Sequence, residues 1–344
     1  MSSTAEPCPA GNPPGAEAQR GLMAARRRAI LSVLGAAATF ALAAVAVKAL
    51  QGAIPVMQVI LFRNLFAIPP LFLLAMATAP AGGPRGFGLL ATRRPWSHAQ
   101  RIFYGLIGMF GSFYGYMHLP LATVTALGFT MPLFLTALSI PLLGEKVGWR
   151  RASAVAVGFL GVLLIIRPGS GTGPGTGETA LPMLAVLAGA VAWALAMITI
   201  RRMGANGESG ATIVLWFALG GTLVGGAAAI PGWVWPDATQ WALLAAVGLI
   251  SALAQLLMTA AYRGGETTLV APFEYSGILW TMSFGLFFWG EWPVALDLAG
   301  IAVLIASGLY IWHRETRVLP AARAQAAGAA NPPQASRLAN QKRS

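Results

Sequence analysis

A lone carboxylate set in apolar sequence is the group on this chain best placed to do chemistry. Glu274 lies in the run Thr267–Trp289, which holds no other acidic residue. A carboxyl at membrane depth is costly, so it normally faces a bundle interior or a water-filled path. At helical spacing Thr267, Glu274, Gly277, Thr281 and Gly285 form a small or polar stripe, while Phe273, Trp280, Phe284, Phe287 and Phe288 fall largely on the other side. The stripe is expected to line a cavity and the aromatic side to meet lipid. Glu274 is therefore a candidate substrate ligand and the candidate proton site. The plainer reading is a structural hydrogen bond or ion pair between helices.

Five more residues complete the candidate set. Arg63 stands well inside an apolar run, after Gln58 and beside Asn64. It can pair with Glu274, bind an anionic group as a planar fork, or snorkel to an interface. Tyr104 begins a face with Gly108, Gly111, Gly115 and His118, whose glycines suit close helix packing. Gln255 shares a face with Ser251, Met258, Thr259 and Tyr262 and can hydrogen-bond a substrate or another helix. Trp193 offers a flat surface for an aromatic or cationic ligand, or a packing surface. Tyr275 is taken with its neighbour Glu274. Glu145 and Glu291 sit at the edges of apolar runs and read as helix-capping or gate elements.

Other chemistries lack their parts. The three histidines, His98, His118 and His313, form no HExxH pattern, and Cys8 is alone. No GxxxxGK[ST] loop is present for ATP. Acid–base or metal catalysis needs clustered groups that this sequence does not offer. No catalytic residue, metal or cofactor is expected.

The elements that must position these residues are helices in a bilayer. The chain has 344 residues, of which 56% are hydrophobic and 10% charged. Soluble domains carry roughly 25% charged residues, so the apolar runs here must be nearly free of charge. A crossing takes about 20 apolar residues, and backbone in hydrocarbon must bond to itself. Ten runs qualify: 29–49, 54–77, 99–118, 121–143, 150–167, 181–201, 211–230, 240–261, 267–289 and 294–313. The expected class is an all-α polytopic membrane protein. The net charge of +12 is not a nucleic-acid footprint, because Lys and Arg cluster at the ends of the runs. Their bias places both termini in the cytoplasm and leaves Lys48 and Arg167 on the outer side. Arg101 is counted here with Arg85, Arg93 and Arg94 in an inner loop. Residues 1–28 and 315–344 read as disordered tails, and 168–180 as a Gly/Pro-rich linker dividing the spans five and five.

The two halves, 29–167 and 181–314, resemble each other. Gly144-Glu145 falls on Gly290-Glu291, and each pair is followed by a Gly-bearing span ending at Arg167 or Arg314. Five helices are an odd number, so the second half must enter the membrane inverted relative to the first, a plan common among alternating-access carriers. The duplicated Gly-Glu and the five-plus-five plan resemble the EamA family of the drug/metabolite transporter superfamily. That resemblance implies ten transmembrane helices as two inverted five-helix repeats, in the bacterial inner membrane, carrying a small organic molecule. The string "AYRGGETTLVAPFEYSGILW" (Ala261–Trp280) is similar to the branch of S-adenosylmethionine and riboflavin uptake carriers. Amino-acid or drug exporters share the layout, and a membrane-embedded enzyme or a channel is the remoter alternative. The expected partners are a small-molecule substrate, lipid and, as candidate coupling ion, the proton. The oligomeric state is left open.

Overall fold

The computed structural model describes residues 16–79, 85–143, 149–167, 177–264 and 267–330. Among them the regular elements are helical: α1 (Ala16–Ala49), α2 (Val56–Ala77), α3 (Pro95–His118), α4 (Leu121–Gly128), α5 (Met131–Leu143), α6 (Trp149–Ile166), α7 (Ala180–Ala205), α8 (Gly210–Ala229), α9 (Ala238–Gly264), α10 (Thr267–Glu274), α11 (Ser276–Trp289) and α12 (Ala295–Ala330).

Seven stretches among the described residues are long and apolar enough to cross a membrane: α1, α2, α4 with α5, α7, α8, α9 and α12. The other expected spans fall short for visible reasons. The third, α3, begins at Pro95 and carries His98 and Arg101. The fifth keeps only Ala152–Ile166 as an apolar helix. The ninth is divided into α10 and α11 at Tyr275.

The fourth run, expected as one helix, is also divided, between Gly128 and Met131. Pro132 has no N–H for the carbonyl four residues back, at Gly128, so the helix loses a rung there. Thr130 turns its hydroxyl to the Leu127 carbonyl at 2.6 Å, bonding its own turn. Pro272 stands three residues before the second break.

Helical backbone also extends beyond the apolar runs. α1 starts at Ala16 and α12 continues to Ala330, into both segments expected to be disordered. These stretches are rich in Ala, the best helix former.

The packing has a two-fold pattern. The two most extensive pairs are α1 with α9 and α3 with α7, and α2 lies on α8 as α6 lies on α12. Exchanging first-half helices for their second-half counterparts turns α1·α9 into α7·α3 and leaves α2·α8 and α6·α12 unchanged. The broken pairs obey the same exchange, since α4 and α5 pack on α7 while α10 and α11 pack on α1.

Small residues make the close pairs possible. A Cβ on Gly111 would overlap the Ala185 carbonyl of α7. A Cβ on Gly161 would sit 2.9 Å from the Gly300 carbonyl of α12. Neither backbone can yield, so these helices meet only through glycine. Large apolar side chains such as Leu223 and Phe287 remain exposed, at 73% and 80%. That is what a lipid-facing surface requires.

Candidate functional site

The structure divides the candidate residues into two groups. Glu274 ends α10, half-buried, and Tyr275 forms the break that follows. The Tyr275 ring stacks on Phe129 with centroids 4.7 Å apart and planes 27° from parallel. Phe129 lies in the other break. The register that sets Gly144-Glu145 on Gly290-Glu291 also sets Phe129 on Tyr275, so equivalent residues of the two halves touch. The Tyr275 hydroxyl packs so closely on Gly308 of α12 that a Cβ there would displace it. Along the expected stripe Thr281 and Gly285 are buried and Gly277 is half-buried, while Trp280, Phe287 and Phe288 on the aromatic side are exposed; the Thr267 side chain lies outside the described residues. Phe273 departs from it, packing beside the buried Ala29, Val33, Ala261 and Val270.

The second group surrounds a residue that the sequence reading misplaced. Arg101 is not a loop residue. It lies two turns into α3 and is 8% exposed. Its guanidinium lies against Gly105, where a Cβ would overlap Nη1. It stands 4.0 Å from the centroid of the Phe217 ring and 5.5 Å from that of Trp193. Among the described residues Nε and Nη1 have no hydrogen-bond partner. The charge acting on it among the described residues is that of Arg63, of the same sign. Arg63 is half-buried on α2 and donates from Nη1 to the Asn64 side chain at 3.1 Å. Asn64 is itself fully buried and donates to the Ile60 carbonyl at 2.8 Å. No Arg63–Glu274 ion pair is found among the described residues.

Trp193 thus joins Arg63 around Arg101, and its ring covers Gly108 of α3. Tyr104 and Gln255 are half-buried on α3 and α9. Tyr104 lies edge-on to Phe103 at 5.6 Å. Gln255 contributes its main-chain carbonyl to the Thr259 hydroxyl at 2.7 Å. An apolar groove of about 770 Å³ between α2, α3 and α8, lined by Ile102, Phe103, Leu106, Trp216 and Leu223 among others, offers little to orient a polar solute.

A third constellation ties the halves together at one end. Lys48, at the end of α1, lies 2.5 Å from Glu291 and donates to the Leu119 carbonyl at 2.7 Å. The same carboxylate accepts the Leu121 N–H, at the start of α4, at 2.9 Å. Glu291 is therefore a helix cap, as expected, but for a helix of the other half. The buried Gln58 of α2 donates to the Val234 carbonyl at 2.7 Å and accepts the Val234 N–H at 3.1 Å. Arg167 and Asp297 meet at 2.9 Å. Glu145 lies outside the described residues. Elsewhere Glu208 accepts the Thr92 hydroxyl at 2.7 Å and lies 3.5 Å from His98 Nε2.

The profile of the EamA-like transporter family matches residues 27–167 and again 180–312. The chain belongs to the EamA-like transporter family. Its relatives are transporters. A riboflavin transporter of Rhizobium johnstonii is 31% identical over 233 residues, which cover 67% of this chain and 75% of that one. A pseudopaline exporter of Pseudomonas aeruginosa is 30% identical over 286 residues, 81% of this chain and 93% of the relative. An S-adenosylmethionine uptake transporter of Rickettsia bellii is 27% identical over 235 residues, 68% and 78% respectively. A crystal structure with 20% identity shares the fold at a TM-score of 0.58, covering 85% of this chain and 98% of that chain. This EamA member is a multi-pass membrane transporter of a small molecule and not an enzyme.

Proposed function

We propose that this EamA transporter is a secondary carrier that moves a small organic metabolite across the bacterial inner membrane by alternating access. In this reading ten helices form two oppositely inserted five-helix halves, 29–167 and 181–314, with both termini cytoplasmic. The cargo is S-adenosylmethionine or riboflavin, the solutes named for two of the relatives. Export is the second reading, favoured by the name of the pseudopaline relative.

The observation that carries the mechanism is the tie of Lys48 and Leu121 from one copy of the family profile to Glu291 of the other. A charge pair that also caps a helix holds one mouth closed, and transport requires it to part. Glu274, beside the break between α10 and α11, stands where a helix can flex, and it is the group assigned to substrate or proton binding. Tyr275, Tyr104, Gln255, Arg63 and Trp193 complete the proposed lining of the path.

The test is uptake into proteoliposomes of radiolabelled riboflavin, S-adenosylmethionine and amino acids by the full chain. Saturable flux of one of them is expected; flux that never saturates, or none, would sink the carrier. Glu274→Gln should lower turnover at unchanged membrane insertion, and unchanged uptake with unchanged pH dependence would remove that residue from its role. In a Cys8→Ser background, joining Lys48→Cys to Glu291→Cys with a reducible bis-methanethiosulfonate linker should stop flux, and reductant should restore it.

A further inference from the structure

Four helices, two from each half, bring Arg101 of α3, Arg63 of α2, Trp193 of α7 and Phe217 of α8 together. A long basic side chain near a helix end normally snorkels toward water. Arg101 does the reverse. Its side chain runs toward the C-terminal end of α3, over Gly105, the one residue type that leaves room for a guanidinium there. In helices side chains ordinarily lean toward the N-terminus, so this course is maintained against the usual preference.

The charge is poorly compensated in that position. Burying an ion carries a large desolvation penalty, which cation–π contact with aromatic faces offsets only in part. Nε and Nη1 are without acceptors among the described residues, and the neighbouring charge of Arg63 repels. An acid between the two guanidiniums would correct all three defects: it would accept the free donors, separate the like charges and neutralise them. Arg presents its donors as a planar fork that fits carboxylate and phosphate oxygens in pairs. Trp193 and Phe217 add flat apolar faces beside that fork.

We propose that Arg101, Arg63, Trp193 and Phe217 form a subsite for the ionised acid of the cargo, a carboxylate or a phosphate ester carried next to a flat ring. The inference rests on the carrier reading and narrows it. S-adenosylmethionine has a carboxylate, on an amino-acid arm apart from its purine, whereas riboflavin has a flat ring without an acid ionised at neutral pH. The subsite thus favours the first over the second.

The experiment is calorimetric titration of the full-length protein in nanodiscs with 2-naphthoate, 2-naphthyl phosphate and the uncharged 2-naphthamide. At least one anion should bind ten-fold or more tightly than the amide. Preference for the carboxylate or for the phosphate identifies the acid, and equal binding of both still supports an anion subsite. Arg101→Gln should abolish the anion preference and Arg101→Lys should keep part of it. Gly105→Ala retains both charges but displaces the guanidinium, so it should also weaken anion binding. Arg63→Gln gives an independent reading should the Arg101 variant fail to fold. Amide binding equal to that of the anions, no binding of either anion, or anion binding unaltered in a folded Arg101→Gln protein would each overturn the proposal. Because binding is read without transport, this failure is separate from failure of the carrier, which shows as absent saturable flux of every solute in the uptake panel.

Discussion

Two regions of this transporter handle buried charge in opposite ways. At the end closed by Glu291, each formal charge has a complement: Lys48 meets a carboxylate and a carbonyl, and Glu291 meets an ammonium and a helix N–H. Around Arg101, two cations lie near each other and one keeps unfilled donors. The first arrangement is what stability asks of a buried ion pair. The second resembles a site from which a partner is missing. Charge that is compensated within the chain holds the chain; charge left uncompensated is available to something that arrives.

The comparison predicts stability changes of opposite sign. Glu291→Ala should be the most damaging, because it orphans Lys48 and removes the acceptor of the Leu121 N–H. Breaking one partner of a fully buried pair costs about 3 kcal/mol, an upper bound for this one, whose side chains are 12% and 18% exposed. Glu291→Gln should cost less, since its amide oxygen can still accept from Leu121. Thermal unfolding in detergent with a double-mutant cycle against Lys48→Ala measures this, and additive losses would mean that the two residues do not act as a pair.

Arg101→Met should do the reverse. An apolar side chain of similar reach removes a buried charge, and such replacements are neutral or stabilising by about 1 kcal/mol or more. The thermal midpoint should hold or rise while anion binding is lost. A fall as large as that of Glu291→Ala would erase the contrast and make Arg101 a structural residue.

Much of this architecture is legible in apolar run lengths, because hydrocarbon leaves the backbone little choice but helix. Glu274 stands out for the same reason, as an acid where acids are costly. Arg101 does not, since a basic residue six positions after the start of an amphipathic helix reads like the rest of a positive-inside cluster. Its signal was Gly105, one turn on, which matters only once the side chain is seen to lie over it. The clasp was hidden differently. Glu291 reads as a cap, yet the helix it caps begins far away in sequence, at Leu121, and no local pattern encodes that meeting. The breaks had a partial signal, since Pro132 lies just after the first and Pro272 just ahead of the second, but the Phe129–Tyr275 stack that joins them is a contact between halves that no local pattern shows.

The smallest effect is expected where the cation of a pair is wetter. Arg167 and Asp297 meet at 2.9 Å with 26% and 15% of their side chains exposed. Exposed pairs are typically worth 0.2–1 kcal/mol and weaken with salt, so Arg167→Gln should cost about 0.5 kcal/mol, less in high salt. Asp297→Asn should cost more, because Asp297 lies in the first turn of α12, where a negative charge also meets the helix dipole. The two losses should therefore be unequal although they break one contact. Thermal midpoints at low and high ionic strength separate the components: the shared part should shrink with salt in both variants, leaving the aspartate's excess. Equal, salt-independent losses would show that solvent contact does not set the value of charge pairs at this end, and the grading from Arg167 to Glu291 would fail.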